Sequence, residues 1–257
     1  MNTLLIGFLA SLAAGLGTSL GALPAFLPFR LTERVQGILL GIGGGIMLAA
    51  TSFSLLIPGT AAARAQGYSE THAALIMVVG TLLGGALLWL AHSQFPHEHF
   101  FKGKEGPEQQ LFADIWLFII AITLHNFPEG LAVGVGFGSG ALSSGWALTG
   151  GIGLQNIPEG LVVALSLRNL NYSPLYAFGV ASLTGLVEPI GGLLGVSIVS
   201  VSAPLLPWGM AFAAGAMLFV IVDEIIPEID HKGHNQEGTL GVMAGFITMM
   251  FLDITLG

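Results

Sequence analysis

Two short polar segments, LHNFPEG at residues 124–130 and LQNIPEG at residues 154–160, interrupt otherwise apolar stretches of the chain. The second segment repeats the first, except that Gln replaces His and Ile replaces Phe. Side chains three or four positions apart lie on the same face of a helix. Each segment therefore places its Asn and Glu, together with the His or Gln one turn before the Glu, on one helix face.

Together the two faces offer two carboxylates, one imidazole and three amide oxygens. Imidazole and carboxylate are ordinary zinc ligands, and amide oxygens bind other divalent ions as well. Each glutamate could bridge two ions, which would make a pair of neighbouring sites. The candidate metal ligands are His125, Asn126, Glu129, Gln155, Asn156 and Glu159.

Each segment also contains a proline, Pro128 or Pro158, which deprives the carbonyl four residues earlier of its helical donor. We expect a kink at each proline, with the freed backbone facing a cavity. The alternative is that these side chains only join helices by hydrogen bonds. That alternative would require the same spacing to arise twice without a common function.

A third polar intrusion is Glu188-Pro189, near the middle of a predicted span at 175–200. An ionisable group at membrane depth is costly and needs a reason. Three roles stay open for Glu188: completing the metal site, relaying a proton, or pairing structurally with a neighbouring span.

The composition places these segments in a membrane protein. Of 257 residues, 53% are apolar and 9% are charged, against roughly 25% charged in an average soluble domain. The chain has no Cys, which excludes disulfides and thiol chemistry. With 7 Lys and Arg against 15 Asp and Glu, it cannot build the basic surface of a nucleic-acid-binding protein.

We predict an all-α polytopic membrane protein with eight transmembrane helices. A span needs about 20 mostly apolar residues. The whole chain, 1–257, forms one transmembrane domain, and residues 93–112 form its long cytoplasmic loop. The predicted spans are 3–26, 35–58, 72–92, 113–137, 145–167, 175–200, 206–228 and 238–256.

The cations predict the orientation. If loops alternate sides, six of the seven Lys and Arg residues share one side and only Arg64 lies on the other. Since cytoplasmic loops carry the excess of Lys and Arg, we expect both termini outside. The N-terminus lacks a cationic start, so its first apolar stretch is predicted to be a retained helix and not a signal peptide. Spans four and five then run antiparallel, as a local inverted repeat whose site lies near mid-membrane, between helices 4 and 5 with helix 6.

At these motifs the sequence resembles the ZIP (Zrt/Irt-like protein) family of divalent metal transporters. The resemblance covers essentially the whole chain and implies eight spans, both termini outside and HNxPEG-type motifs in spans four and five. It further implies uptake of zinc, and also of iron, cadmium or manganese, into the cytoplasm across the plasma membrane. The expected partners are divalent metal ions, the lipid bilayer and a second copy of the chain; no prosthetic group is expected.

The resemblance also implies a binuclear centre and alternating access. One site would use His125, Glu129, Gln155 and Glu159. Its neighbour would use Asn126, Asn156 and Glu188 and share the two other glutamates as bridges. Gln155 stands where many relatives carry His, and the loss of an imidazole weakens the preference for zinc.

Other polar residues have less specific roles. Neutral loop imidazoles on the cytoplasmic side could accept a released ion, or belong to a solvated loop; these are His92, His97, His99, His231 and His234. The acidic residues near the inner end of span seven line an exit or are hydrated at the interface; these are Asp223, Glu224 and Glu228. Two GxxxG pairs, Gly41/Gly45 and Gly80/Gly84, favour internal helix contacts over a dimer seam.

Three other functions compete with transport by a carrier. A passive cation channel could use the same ligands. An intramembrane metal-dependent hydrolase would have three firm protein ligands and an open position, and the chain lacks the HExxH spacing of many metalloproteases. A purely structural membrane protein would bind no metal.

Overall fold

The computed structural model describes residues 3–28, 32–94, 119, 122–123, 126–137, 142–231 and 235–256. Over these ranges the chain is helical and contains no strand, which confirms the all-α prediction. The helices are α1 (Thr3–Ala22), α2 (Glu33–Ala49), α3 (Ile57–Ala65), α4 (Glu70–Gln94), α5 (126–137), α6 (Leu142–Asn169), α7 (Pro174–Gly185), α8 (Glu188–Val201), α9 (Leu206–Val220), α10 (Ile226–His231) and α11 (Asn235–Leu256).

Six helical segments of the described chain are long and apolar enough to cross a membrane: Thr3–Phe26, Gly37–Ala65, Glu70–Leu90, Pro174–Ser200, Leu206–Asp223 and Asn235–Thr255. They overlap six of the eight predicted spans. The remaining predictions, 113–137 and 145–167, overlap α5 and α6. With 28 residues, α6 has a length of about 42 Å, but polar residues occupy its middle.

The second predicted span ends at residue 58, but the chain stays helical from α2 to Ala65. A π-helical segment, Ala50–Leu56, joins α2 to α3, and Pro58 lies in the first turn of α3. Within a continuous helix, the missing N–H of a proline leaves a carbonyl of the preceding turn without its donor. Local π adjustments also satisfy backbone groups near a proline in membrane helices. A second π segment, Ile221–Ile225, follows α9.

Glycines set the closest helix contacts. A methyl group added at Gly84 would overlap the carbonyl of Phe212 on α9, and one added at Gly45 would overlap the carbonyl of Val242 on α11. These contacts join α4 to α9 and α2 to α11. The two GxxxG pairs thus lie in internal contacts, as predicted. α1 packs against α6, which carries the second motif, and against α7 and α8.

Candidate metal site

In the structure, side chains of the two helices that carry the motifs, α5 and α6, contact each other. Gln155 Nε2 on α6 donates a hydrogen bond to Glu129 Oε1 on α5. Glu129 is fully buried and Gln155 is 2% exposed. The two motifs therefore turn these polar side chains toward each other inside the protein.

A second contact brings Glu188 to the same helix. Asn156 Nδ2 on α6 donates to Glu188 Oε1 at 2.6 Å, and both side chains are fully buried. The same nitrogen donates to the backbone carbonyl of Ala14 on α1 at 2.9 Å. Three separate parts of the chain thus meet at Asn156.

Glu188 lies where a membrane span is interrupted. α7 ends at Gly185, two residues form a turn, and Glu188 begins α8 with Pro189 in its first turn. A carboxylate in the first turn of a helix is stabilised by the helix dipole. The backbone of this turn lies against α5, because a methyl group added at Gly130 would overlap the Glu188 carbonyl. Gly130 of the first motif is therefore needed to let α8 approach.

Several polar atoms of the cluster are buried and lack a hydrogen-bond partner within the described ranges. They are both amide atoms of Asn126, Oε1 of Gln155 and Oδ1 of Asn156. Buried polar atoms are normally paired, so such oxygens are candidates for contact with an ion or water. Oxygen donors of this type, next to buried carboxylates, fit a divalent cation.

Two ion pairs of the described chain do not involve the cluster. These are Arg34–Glu237, at 3.0 Å, and Arg64–Glu70, at 3.3 Å. Neither includes a carboxylate of the motifs. Charge balance for Glu129, Glu159 and Glu188 is thus not supplied by either pair.

The structure brings some of the predicted ligands into contact with one another. Glu129 contacts Gln155, and Asn156 contacts Glu188. Asn126 is fully buried one turn before Glu129 on α5, and Glu159, which is 8% exposed, lies one turn after Gln155 on α6. Over the described residues, no group of three His, Asp or Glu side chains is arranged to hold a metal by itself.

Other predictions fall outside the described residues. They concern His125, His97, His99, His234 and most of the loop at 93–112. The side chains of His92, Glu224, Glu228 and His231 are likewise not described. Asp223 lies in the π segment after α9 and is partly buried.

Two features of the structure were not predicted from the sequence. One is the Ala14 carbonyl, which has no side-chain signature. The other is a separate polar pair, in which Ser54 Oγ in the first π segment donates to Asp253 Oδ1 on α11 at 2.6 Å. An acidic residue within the last apolar stretch was a signal that could have identified this pair.

Comparison with known proteins identifies the family. A family model described as ZIP zinc transporter matches residues 91–253. The protein named zinc transporter GufA of Myxococcus xanthus is 49% identical, over 98% of this chain and 99% of its own length. Zinc transporter ZIPB of Bordetella bronchiseptica is 44% identical, over 95% and 80%. Zinc transporter ZIP11 of Homo sapiens is 33% identical, over 93% and 94%.

Each of these three relatives is named as a transporter, which confirms the expectation of a transporter and not an enzyme. The family model matches more than half of the chain, and the similarity to the relatives extends over nearly all of it. The motif helices that carry the resemblance are also the helices whose polar faces meet in the structure. The chain therefore belongs to the ZIP zinc transporter family.

Proposed function

We propose that this protein carries divalent metal ions, zinc first among them, across the membrane through the cluster between α5, α6 and α8. The observation that carries the proposal is the buried contact between Glu129 and Gln155, which joins the two motif helices. Buried carboxylates in a membrane protein are expensive and mark ion pathways. The names of the relatives support zinc as the substrate.

We further propose two adjacent ion positions. The first uses His125, Glu129, Gln155 and Glu159, and the second uses Asn126, Asn156 and Glu188 with Glu129 and Glu159 as bridges. The pairing of Glu129 with Gln155, and of Asn156 with Glu188, follows this division and supports it. Iron, cadmium and manganese are further substrates in this proposal, because amide and carboxylate oxygens accept them.

Transport is proposed to occur by alternating access in a single domain of eight spans with both termini outside. The break between α7 and α8 beside the cluster, together with Pro158 inside α6, supplies backbone that differs from regular helix at the site. Interrupted helices of this kind line the substrate sites of many transporters. Insertion in the plasma membrane and a homodimer belong to the same proposal.

Uptake into proteoliposomes tests the site. Glu129→Gln and Glu159→Gln should each lower the initial rate of Zn²⁺ uptake by at least about tenfold, since even groups that only orient metal ligands are worth about 10–100-fold. The matched control is Glu70→Gln, an exposed glutamate at the start of α4 that pairs with Arg64. Its uptake should equal that of the wild type. Uptake at the wild-type rate by both site variants would refute the proposed site.

The same preparation separates a carrier from a channel. A carrier gives a flux that saturates with Zn²⁺ concentration, because each cycle requires binding and a conformational change. A flux that rises linearly over the accessible range would favour the channel.

A further inference from the structure

The amide of Asn156 has both of its donor positions occupied. Its nitrogen donates to Glu188 Oε1 at 2.6 Å and to the Ala14 carbonyl at 2.9 Å, and the side chain is fully buried. The two ends of an Asn amide are nearly identical in shape, so hydrogen-bond partners decide which end points where. The partners of the nitrogen therefore fix the direction of Oδ1.

Of the two acceptors, the Ala14 carbonyl determines which end of the Asn156 amide faces α1. A carboxyl group accepts when it is ionised but can donate when it is protonated, so Glu188 alone is compatible with either end of an amide. A backbone carbonyl only accepts. The amide nitrogen must therefore face α1, and Oδ1, which has no partner in the described part of the chain, is the end left to meet a ligand.

The position of Ala14 is set by close contacts between α1 and its neighbours. A methyl group added at Gly17 would overlap the carbonyl of Gly153 on α6 and lie 3.1 Å from Asn156 Cβ. One added at Gly15 would overlap the carbonyl of Gly185, at the end of α7. The two glycines let α1 approach closely enough for its carbonyl to reach Asn156.

We propose that the Ala14 carbonyl is a positioning group, which holds Asn156 with its oxygen and not its amino group toward the transported cation. This rests on the proposed function, in which Asn156 is a ligand. With the amide reversed, N–H groups would face a divalent cation and repel it. Outer partners that orient metal ligands in this way typically change metal affinity by about 10–100-fold.

A double-mutant cycle tests the positioning role. Full-length protein in detergent is titrated calorimetrically with ZnCl₂ for the wild type, Gly17→Ala, Asn156→Ala and the double variant. Gly17→Ala should weaken Zn²⁺ binding by about 10–100-fold in the wild-type background and by less than about twofold when Asn156 is already Ala. The matched control, Gly150→Ala on α6, adds a methyl group where nothing lies within 4 Å and should bind as the wild type does.

The outcomes are distinct. An equal loss in both backgrounds means that Gly17→Ala acts through general displacement of α1, which overturns the positioning role while leaving the proposed function intact. Unchanged binding by folded Gly17→Ala also overturns it. No Zn²⁺ binding by the wild type contradicts the proposed function itself.

Asn156→Asp supplies a second test that does not depend on the folding of the Gly17 variant. It adds a carboxylate, which is ordinarily a stronger ligand, but places an oxygen where Nδ2 faces the two acceptors. The positioning role predicts weaker Zn²⁺ binding than in the wild type. Equal or tighter binding overturns it, because any oxygen at position 156 would then suffice.

Discussion

At Gln155 the chain presents an amide where the matching position of the first motif carries the imidazole of His125. The amide nitrogen is engaged with Glu129, so only its oxygen is left to approach a cation. Amide oxygen is a harder and weaker donor for zinc than imidazole nitrogen, and it suits manganese comparatively well. The residue at position 155 should therefore tune which divalent ion the protein prefers.

Gln155→His should shift the preference toward zinc. We expect the ratio of zinc to manganese uptake in a competition assay to rise by about tenfold, which corresponds to ~1.4 kcal/mol of added discrimination. The control is Gln66→His, at an exposed position after α3, which should leave the ratio unchanged. An unchanged ratio in Gln155→His with uptake intact would show that position 155 does not contact the ion.

Part of the candidate site was predictable from the spacing of side chains, and its backbone partners were not. The spacing of Asn, Pro and Glu in two copies predicted that Glu129 and Gln155 share one site, because helix periodicity fixes which side chains share a face. The Ala14 carbonyl could not be predicted, since every residue has a carbonyl and only the packing of α1 selects this one. Asp253 was predictable by type, but its partner Ser54 depends on how the π segment Ala50–Leu56 and α11 meet.

Between elements, the close approach of helices depends on single glycines. In a membrane protein, helices associate through close van der Waals packing rather than by removing apolar surface from water, so small residues at the contact matter most. Gly84 and Gly85 are neighbours on α4, yet only one of them permits the approach of α9. A methyl group at Gly84 would overlap the Phe212 carbonyl, whereas one at Gly85 would lie at 3.6 Å from the Gly215 carbonyl.

Gly84→Ala should destabilise the protein, because backbone atoms cannot yield to the added methyl group without separating α4 from α9. The expected loss is about 1–3 kcal/mol, the usual cost of overpacking. Gly85→Ala should be neutral or stabilising by up to about 1 kcal/mol, since Ala is the better helix former. Unfolding of both variants in the same detergent measures the difference. Equal stability of the two would mean that α4 and α9 are not in contact in the folded protein.

The interruptions of the helices were harder to predict than the helices themselves. Pro189 was a signal for the break before α8, because proline lacks the N–H that would continue a helix. Pro58 was also a signal for a break, but no break occurs there. The π segment Ala50–Leu56 precedes Pro58, and the helix continues. A π segment has no sequence signature as strong as proline, so the choice between turn and continued helix depended on packing.

At the scale of the whole molecule, hydropathy identifies membrane spans least well at the helix that carries the proposed metal site. The six segments that satisfy length and composition exclude α6, whose 28 residues include Gln155, Asn156 and Glu159. The polar side chains that build the candidate site lower the hydropathy of the helix that carries them. The eight-span proposal therefore requires that α6 crosses the membrane.

Single cysteines at the two ends of α6 test this crossing, because the natural chain has no Cys and gives no background. Ser143 and Asn169 are both exposed, and the latter adjoins Arg168, a cation predicted to lie inside. With eight spans, a membrane-impermeant thiol reagent should label Ser143→Cys on intact cells and Asn169→Cys only after permeabilisation. Labelling of both from the same side would mean that α6 does not span. In that case its polar face could not form a path between two compartments.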